Sequence, residues 1–277
     1  VSDPRPLTIS KDTQLCISLA GRPGNFGTRF HNFLYAELGL DFVYKAFTTT
    51  DLPAAIGGVR ALGIRGCAVS MPFKEACIPL LDELTPSAAA IGSVNTIVND
   101  AGYLRAYNTD YLAVQQLIGE YRLTPTTPFA LRGSGGMGKA VASAFRDAGF
   151  TQGLIVARNE AAGRALAEQC GYRWQAELGE TRPPLLVNVT PIGMAGGPEA
   201  AQLAFPEAAL AAAETVFDVV ALPAETPLIR AARVAGKQVI SGAEVAALQA
   251  LEQFVLYTGV RPSAEQVQRA AGFARST

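Results

Sequence analysis

One histidine and four cysteines in 277 residues leave this chain short of several kinds of chemistry. With His31 as the only imidazole, a zinc site is hard to assemble, which removes the zinc-dependent alcohol dehydrogenases, and no metal is expected. The cysteines, Cys16, Cys67, Cys77 and Cys170, contain no C-x-x-C pair. Three of them lie in apolar or alternating stretches and read as buried thiols in a reducing cytosol. An excess of either charge is also missing: 23 Lys and Arg face 24 Asp and Glu, so no long-range field draws nucleic acid or an anionic membrane, and any phosphate has to be held locally. No apolar run reaches the roughly 18 residues of a membrane span. Val1 to Pro6 is polar and proline-containing, unlike the apolar core of a signal peptide. These absences point to a cytoplasmic protein acting on small molecules, monomeric or homodimeric, without nucleic-acid or membrane partners.

What is present is apolar and periodic. Hydrophobic residues make up 49% of the chain, enough to bury a sizeable interior, and the length accommodates two domains. The first part alternates strands (residues 15–19, 41–47, 66–71) with helices (30–38, 52–61, 74–84), a rhythm that predicts a parallel or mostly parallel sheet under covering helices. It restarts near residue 110. A helix with Leu112, Val114, Leu117 and Ile118 at helical spacing precedes the linker-like Thr124-Pro125-Thr126-Thr127-Pro128. Strands are then expected at 129–131, 154–157, 185–189, 215–220 and 238–241, with a helix at 139–148. An amphipathic helix at 245–257 follows, stopped by Gly259, and Ser263-x-x-Gln266 is a capping-box signature for a last one. The resulting fold class is α/β with two domains. Residues 1–110 plus 243–277 form an N-terminal α/β substrate and catalytic domain to which the C-terminal helices return, and residues 111–242 form a Rossmann-like dinucleotide-binding domain.

Gly133-Ser134-Gly135-Gly136-Met137-Gly138 places a G-x-G-x-x-G pattern on Gly133, Gly135 and Gly138, after a strand and at the opening of a helix. The first glycine suits the tight turn, the second lets a pyrophosphate approach the backbone, and the third permits close helix–strand packing. The helix N-terminus then offers unpaired N–H groups to phosphate. A glycine-rich turn without a ligand is the plainer alternative. The next strand runs into Arg158-Asn159, where an acidic residue would favour the ribose of NAD; an Arg there suits the 2′-phosphate of NADP. Glu160 beside it weakens that inference, and a merely solvated Arg is the alternative.

Alcohol oxidation also needs a proton acceptor at the hydroxyl. His31, in an early apolar helix, reads as a packed or capping residue. Lys74, in Ser70-Met71-Pro72-Phe73-Lys74-Glu75, stands at the end of a strand, where open α/β sheets bind ligands. Asp110, in Asn108-Thr109-Asp110, opens a helix and is a candidate charge partner. A lone Lys is otherwise a solvated surface charge.

The segments Gly66–Glu75, Gly92–Ile97, Asn108–Asp110, Gly133–Ala140, Asn188–Met194 and Ser241–Gln249 stand in the order and spacing of the shikimate/quinate dehydrogenase family, which the chain resembles from Gly21 to Gly259. The resemblance implies an NADP-dependent enzyme of aromatic amino acid biosynthesis that interconverts a cyclic hydroxy acid and its 3-dehydro ketone. By matching motifs it implies Lys74 and Asp110 as the catalytic pair. Asn95 and Gln249 match substrate-binding residues. Gly133 to Gly138 and Arg158 match the NADP site, and Asn188, Thr190, Gly193 and Met194 match the segment bordering the nicotinamide.

Departures are concentrated at the family's carboxylate anchor. The two serines of its first loop become Asn25 and Gly27, and Arg22 and Arg29 are the alternative cationic anchors. The family's N-V-T strand is Ala68-Val69-Ser70, which keeps one polar contact, Ser70. Its tyrosine after D-x-x is Ala221, and the opening of its C-terminal helix is Glu244-Val245. A Glu there repels a substrate carboxylate unless paired. The pattern resembles the divergent shikimate dehydrogenase-like branch and implies weaker turnover of shikimate. Quinate or another cyclic hydroxy acid, an NADP-binding sensor with little turnover, and a folate-linked dehydrogenase on the same plan are the competing readings. No motif of the last was found.

Overall fold

The computed structural model describes residues 8–276; the polar stretch 1–6 discussed above lies outside them. Backbone contacts divide the chain into two compact units, Val1–Thr109 with Ala247–Thr277, and Asp110–Ala246.

In the first unit the strands are β1 (Gln14–Leu19), β2 (Phe42–Phe47), β3 (Gly66–Val69), β4 (Glu83–Leu84), β5 (Thr96–Asp100) and β6 (Tyr103–Tyr107), joined in one sheet of order β2-β1-β3-β5-β6-β4. The pairs β1–β2, β1–β3 and β4–β6 are parallel, whereas β3–β5 and β5–β6 are antiparallel. Helices α1 (Phe26–Leu38), α2 (Leu52–Ala61), α3 (Phe73–Ala76) and α4 (Pro86–Ile91) punctuate them. Asp51 caps α2 by accepting the Ala54 N–H at 2.9 Å. One core cluster joins Ile17, Leu19, Cys67, Val69 and Ile97 to Ile56 and Val59 of α2. A second joins the α1 residues Phe30, Phe33, Leu34 and Tyr35 to residues of the C-terminal helices, Phe254, Tyr257, Ala270 and Ala274. His31 is fully buried there, stacked on Tyr44 with centroids 4.4 Å apart. Burial drives its pKa down to about 3, against a smaller opposing pull from Gln253.

The second unit opens within α5 (Thr109–Glu120), whose first residue, Thr109, belongs to the first unit. It contains β7 (Phe129–Arg132), α6 (Gly136–Asp147), β8 (Gly153–Val156), α7 (Glu160–Cys170), β9 (Arg173–Gln175), β10 (Leu185–Asn188), α8 (Glu207–Ala212), β11 (Thr215–Asp218), α9 (Pro227–Val234) and β12 (Gln238–Ser241). Its sheet order is β12-β11-β10-β7-β8-β9 and every pair is parallel. The central strands β8, β10 and β11 are buried at every residue, as parallel strands covered on both faces are. The chain continues into α10 (Gly242–Thr258) and α11 (Ala264–Arg275). Ser263 and Gln266 form the reciprocal capping box that the S-x-x-Q pattern announced. All four cysteines are buried and unpaired with one another. Among the described residues no helix is long and apolar enough to cross a membrane.

Two expectations are corrected, and one hairpin was not anticipated. The helix expected at 74–84 is the four-residue α3, a 3-10 turn at Ile78–Leu80 and the short strand β4. Pro79 removes a backbone donor and disfavours helical geometry at Ile78. The hairpin β5–β6 carried no expectation; it turns on Ala101 and Gly102, both with positive φ (52° and 94°), the geometry of a two-residue type I′ loop. The strand expected at 66–71 stops at Val69, before the Met71–Pro72 peptide, which is cis.

Candidate active site

The first unit gathers polar groups at the end of β3. The Ser70 N–H donates to the Leu19 carbonyl at 2.9 Å, and the Phe73 N–H closes back on the Ser70 carbonyl at 2.9 Å. That turn launches α3, which carries Lys74. The Lys74 carbonyl accepts the Val94 N–H at 2.9 Å, pinning α3 to the V-N-T segment. Because β5 runs antiparallel to β3, the start of β5 falls beside the end of β3, and the Val69 N–H donates to the Asn95 carbonyl at 2.8 Å.

Asn95 is a buried hub, only 2% exposed. Its side-chain oxygen accepts the Thr109 N–H (2.8 Å) and the Thr96 hydroxyl (2.8 Å), and its NH2 donates to the Thr109 hydroxyl (3.0 Å). From α10, Gln253 donates to the Asn95 carbonyl (3.2 Å) and to the Thr96 hydroxyl (3.0 Å). Gln249 lies one turn earlier, on the same helix face as Gln253. Thr109 immediately precedes Asp110, which is 6% exposed in the first turn of α5, where a carboxylate is favoured by the helix dipole.

The first loop is more open. Asn25 is exposed at the N-cap of α1, and its side chain makes no cap bond. A Cβ at Gly27 would meet the Tyr44 hydroxyl at 3.5 Å. Arg29 is committed elsewhere: its guanidinium donates twice to the Phe273 carbonyl (3.1 and 2.9 Å) and stacks on the Phe273 ring, so it braces α11 rather than serving as a carboxylate anchor. Arg22 is exposed.

In the second unit the glycine turn has the form a dinucleotide requires. Gly133 adopts φ +124°, and a Cβ there would lie 2.7 Å from Val189 Cγ2. A Cβ at Gly138 would lie 3.0 Å from the Gly133 carbonyl oxygen, whereas one at Gly135 would meet nothing within 4 Å, leaving the approach to the α6 N-terminus open. Ser134, Gly136 and Met137 complete the turn, the last two already in α6. Beside it lies a pocket of about 270 Å³ lined by Arg132, Gly133, Ser134, Arg158, Asn159 and Thr190, among others. Asn159 caps α7 by accepting the Ala162 N–H at 3.1 Å. Glu160, which clouded the cofactor reading, is held along α7 by Arg164 at 2.8 Å and does not line the pocket.

Asn188, Thr190, Gly193 and Met194 hang on a buried network at the ends of β10 and β11. The Asn188 side-chain oxygen accepts the Thr190 hydroxyl (2.6 Å) and N–H (3.1 Å), and its NH2 donates to Asp218 at 2.9 Å. Asp218 also accepts the Val220 N–H (3.1 Å) and the Thr226 hydroxyl (2.7 Å). Burial pushes the Asp218 carboxyl up, and the bonds from Thr226, Val220 and Asn188 pull against it. Thr226 in turn caps α9 and packs where a Cβ on Gly193 would fall (3.3 Å).

Glu244 is partly buried and fully engaged. Its carboxylate accepts the Ser241 N–H (2.9 Å) and hydroxyl (2.6 Å) and the Tyr121 hydroxyl. The charge is thereby paired within its own unit instead of standing bare.

Sequence reasoning missed Thr109, Gln253, Asp218, Thr226 and Arg132. Thr109 sits inside the N-T-D segment already singled out, so its signal was present. The others are separated from their partners by stretches that only folding closes. Among the described residues no group of three His, Cys, Asp or Glu side chains is placed to hold a metal.

Residues 26–97 match the family model described as shikimate dehydrogenase substrate binding domain. The chain is 60% identical over 268 residues to a shikimate dehydrogenase-like protein of Haemophilus influenzae, covering 97% of this chain and 99% of that one. It is 36% identical over 250 residues to the NADP(+) shikimate dehydrogenase of Chlorobaculum tepidum, covering 83% and 84%. The solved shikimate 5-dehydrogenase of Thermus thermophilus, in complex with NADP(H) and shikimate, superposes with a TM-score of 0.84 at 30% identity over 94% of this chain and 100% of that one. Two six-stranded units, a glycine turn opening α6, and relatives that align along nearly their full length place this chain in the shikimate dehydrogenase family.

Proposed function

We propose that the protein is an NADP-dependent oxidoreductase acting on CH–OH groups, and that it interconverts shikimate, or a related cyclic hydroxy acid such as quinate, and the 3-dehydro ketone. The reading rests on one observation above the others: a glycine turn whose backbone leaves the α6 N-terminus open, next to a pocket carrying Arg158 and no lining carboxylate. Gly133 to Gly138 would cradle the pyrophosphate through backbone N–H groups, and Arg158 would take the 2′-phosphate. The nicotinamide, when bound, supplies the hydride acceptor or donor. Thr190, Gly193 and Met194 would border it, held in place through Asn188.

Lys74 Nζ takes the proton of the reacting hydroxyl, and the Asp110 carboxylate orients that hydroxyl. Asn95, Ser70, Gln249 and Asn25 hold the rest of the ring acid. The firmness with which Lys74 and Asn95 are pinned supports these roles, because proton transfer depends on position first. The substrate carboxylate is the weak point. With Gly27 offering only backbone and Arg29 committed to Phe273, the two serine contacts are replaced by Asn25, with the exposed Arg22 the one remaining cationic candidate in this loop. Each such bond is worth about 1.5–3 kcal/mol. Turnover of shikimate is therefore expected to fall below that of relatives with both serines.

Steady-state assays with shikimate, quinate and other cyclic hydroxy acids, each with NADP and NAD, test the reading. A marked NADP preference and slow turnover of at least one acid are expected. Tight NADPH binding with no turnover of any acid would instead favour a sensor, the reading that the altered first loop supports.

A further inference from the structure

The pocket beside the glycine turn holds two guanidinium groups, only one of which the family motifs point to. Arg132 is the last residue of β7, directly before Gly133, and pairs in register with Val156 of β8. Arg158 follows that strand by two residues, so both side chains arise at the C-terminal ends of adjacent parallel strands and line one pocket. This is the place beyond the second strand of a Rossmann unit where the adenosine ribose and its 2′ substituent lie.

The two arginines are held differently. Arg132 is partly buried and donates one N–H to the Ala204 carbonyl, which fixes its plane and leaves most of its five donors for other partners. Arg158 is 79% exposed, and its contact with Glu199 is 3.8 Å, beyond hydrogen-bond length. The Glu199 segment is itself tied to the nicotinamide-bordering turn, since the Gly193 N–H donates to the Glu199 carbonyl at 3.0 Å. Burial, and next the nearby charge of Arg158, pull the Arg132 pKa down, against opposing pulls from Glu199 and Glu177. A dianionic phosphate between the two guanidinium groups would offset their mutual repulsion.

Resting on the NADP-dependent reading above, we propose that Arg132 is a second specificity-determining residue for the cofactor, binding the 2′-phosphate together with Arg158. Arg132 provides the fixed, partly desolvated half of the clamp, and Arg158 provides the half that moves onto the ligand from solvent.

Calorimetric titration of the intact protein with NADPH, NADH, 2′-AMP and 5′-AMP tests this. Arg132→Met is expected to weaken NADPH and 2′-AMP by about 10- to 100-fold, the usual worth of a charge-assisted bond. NADH and 5′-AMP should stay within about two-fold, and Arg132→Lys should recover part of the loss because the charge remains. Equal weakening of NADH and NADPH would show that Arg132 only braces the Ala204 loop, and unchanged NADPH affinity would show that it is idle; either overturns the proposal. Should Arg132→Met fail to fold, Arg132→Lys and the salt dependence of 2′-AMP binding to the parent decide between the same outcomes. Failure of the underlying reading looks different. A parent protein that does not discriminate 2′-AMP from 5′-AMP refutes both, whereas one that binds NADPH selectively but oxidises no hydroxy acid refutes the reaction and leaves the clamp standing.

Discussion

The two units carry sheets of equal size built on different logic. The second is wholly parallel, with mostly apolar inner strands that end in polar residues, Arg132, Asn188 and Asp218. The first is mixed, and at the end of β3 it places an antiparallel strand whose opening residues, Asn95 and Thr96, are buried and polar. The glycine turn of the parallel unit depends on what is absent from it, since a Cβ at Gly133 or Gly138 would crowd its neighbours. The mixed unit depends on side chains, each of which has to be oriented by another. Each unit accordingly has its own hub, Asn95 in the first and Asp218 in the second.

The comparison is broken most severely by removing the side chain assigned to proton transfer. Lys74→Ala is expected to lower kcat by about 10²–10⁴-fold. The dissociation constant for NADPH, measured by fluorescence, should stay within about two-fold, and a kcat near that of the parent removes Lys74 from the chemistry. Next come the hubs. Asn95→Ala leaves Thr109 and Thr96 without their acceptor in a dry setting and is expected to cost about 3 kcal/mol in urea unfolding, with KM for the hydroxy acid rising before that for NADPH. Asp218→Asn, nearly isosteric, should cost about 1–2 kcal/mol and act in the opposite order, raising KM for NADPH first. A shared pattern of KM changes would show that the hubs do not serve separate units.

Smaller effects sharpen the contrast in packing. Gly66→Ala would set a Cβ about 2.3 Å from the Tyr257 ring, so overpacking of about 1–3 kcal/mol is expected as a lower thermal midpoint, with NADPH affinity retained. The smallest concerns His31. Its folded pKa, about 3, lies below the ordinary value of 6.5, so the folded state resists protonation that the unfolded chain accepts. Stability is complete above about 6.5 and is lost as pH falls toward 3, by about 1 kcal/mol between pH 7 and 5.5. Urea midpoints across that range should flatten in His31→Phe; an unchanged slope means that other groups set the acid sensitivity.

Much of this architecture was legible in the residues. Strands built on apolar runs, such as Leu185–Val187 in β10, and helices with capping signatures, such as the Ser263-x-x-Gln266 box, appear where their patterns place them, because their signals are local. The stretch 74–84 misled because its apolar spacing suits a helix while Pro79 forbids one. The β5–β6 hairpin was missed because Ala101 in positive φ is not a residue type that advertises a turn. Arg29 showed only a charge near the anchor; its partner, Phe273, is 244 positions away.

The order of motifs along the chain and the glycine turn with its strand and helix were thus determined by sequence alone, since backbone freedom and capping act over a few positions. Which side chains are free to meet a ligand was decided only by tertiary structure. Asn95 became a hub, Glu244 acquired Tyr121 and Ser241, Arg29 was drawn to α11, and Arg132 joined Arg158 at one pocket. The reason is that burial and hydrogen-bond satisfaction depend on neighbours in space, and a parallel sheet draws those neighbours from distant parts of the chain.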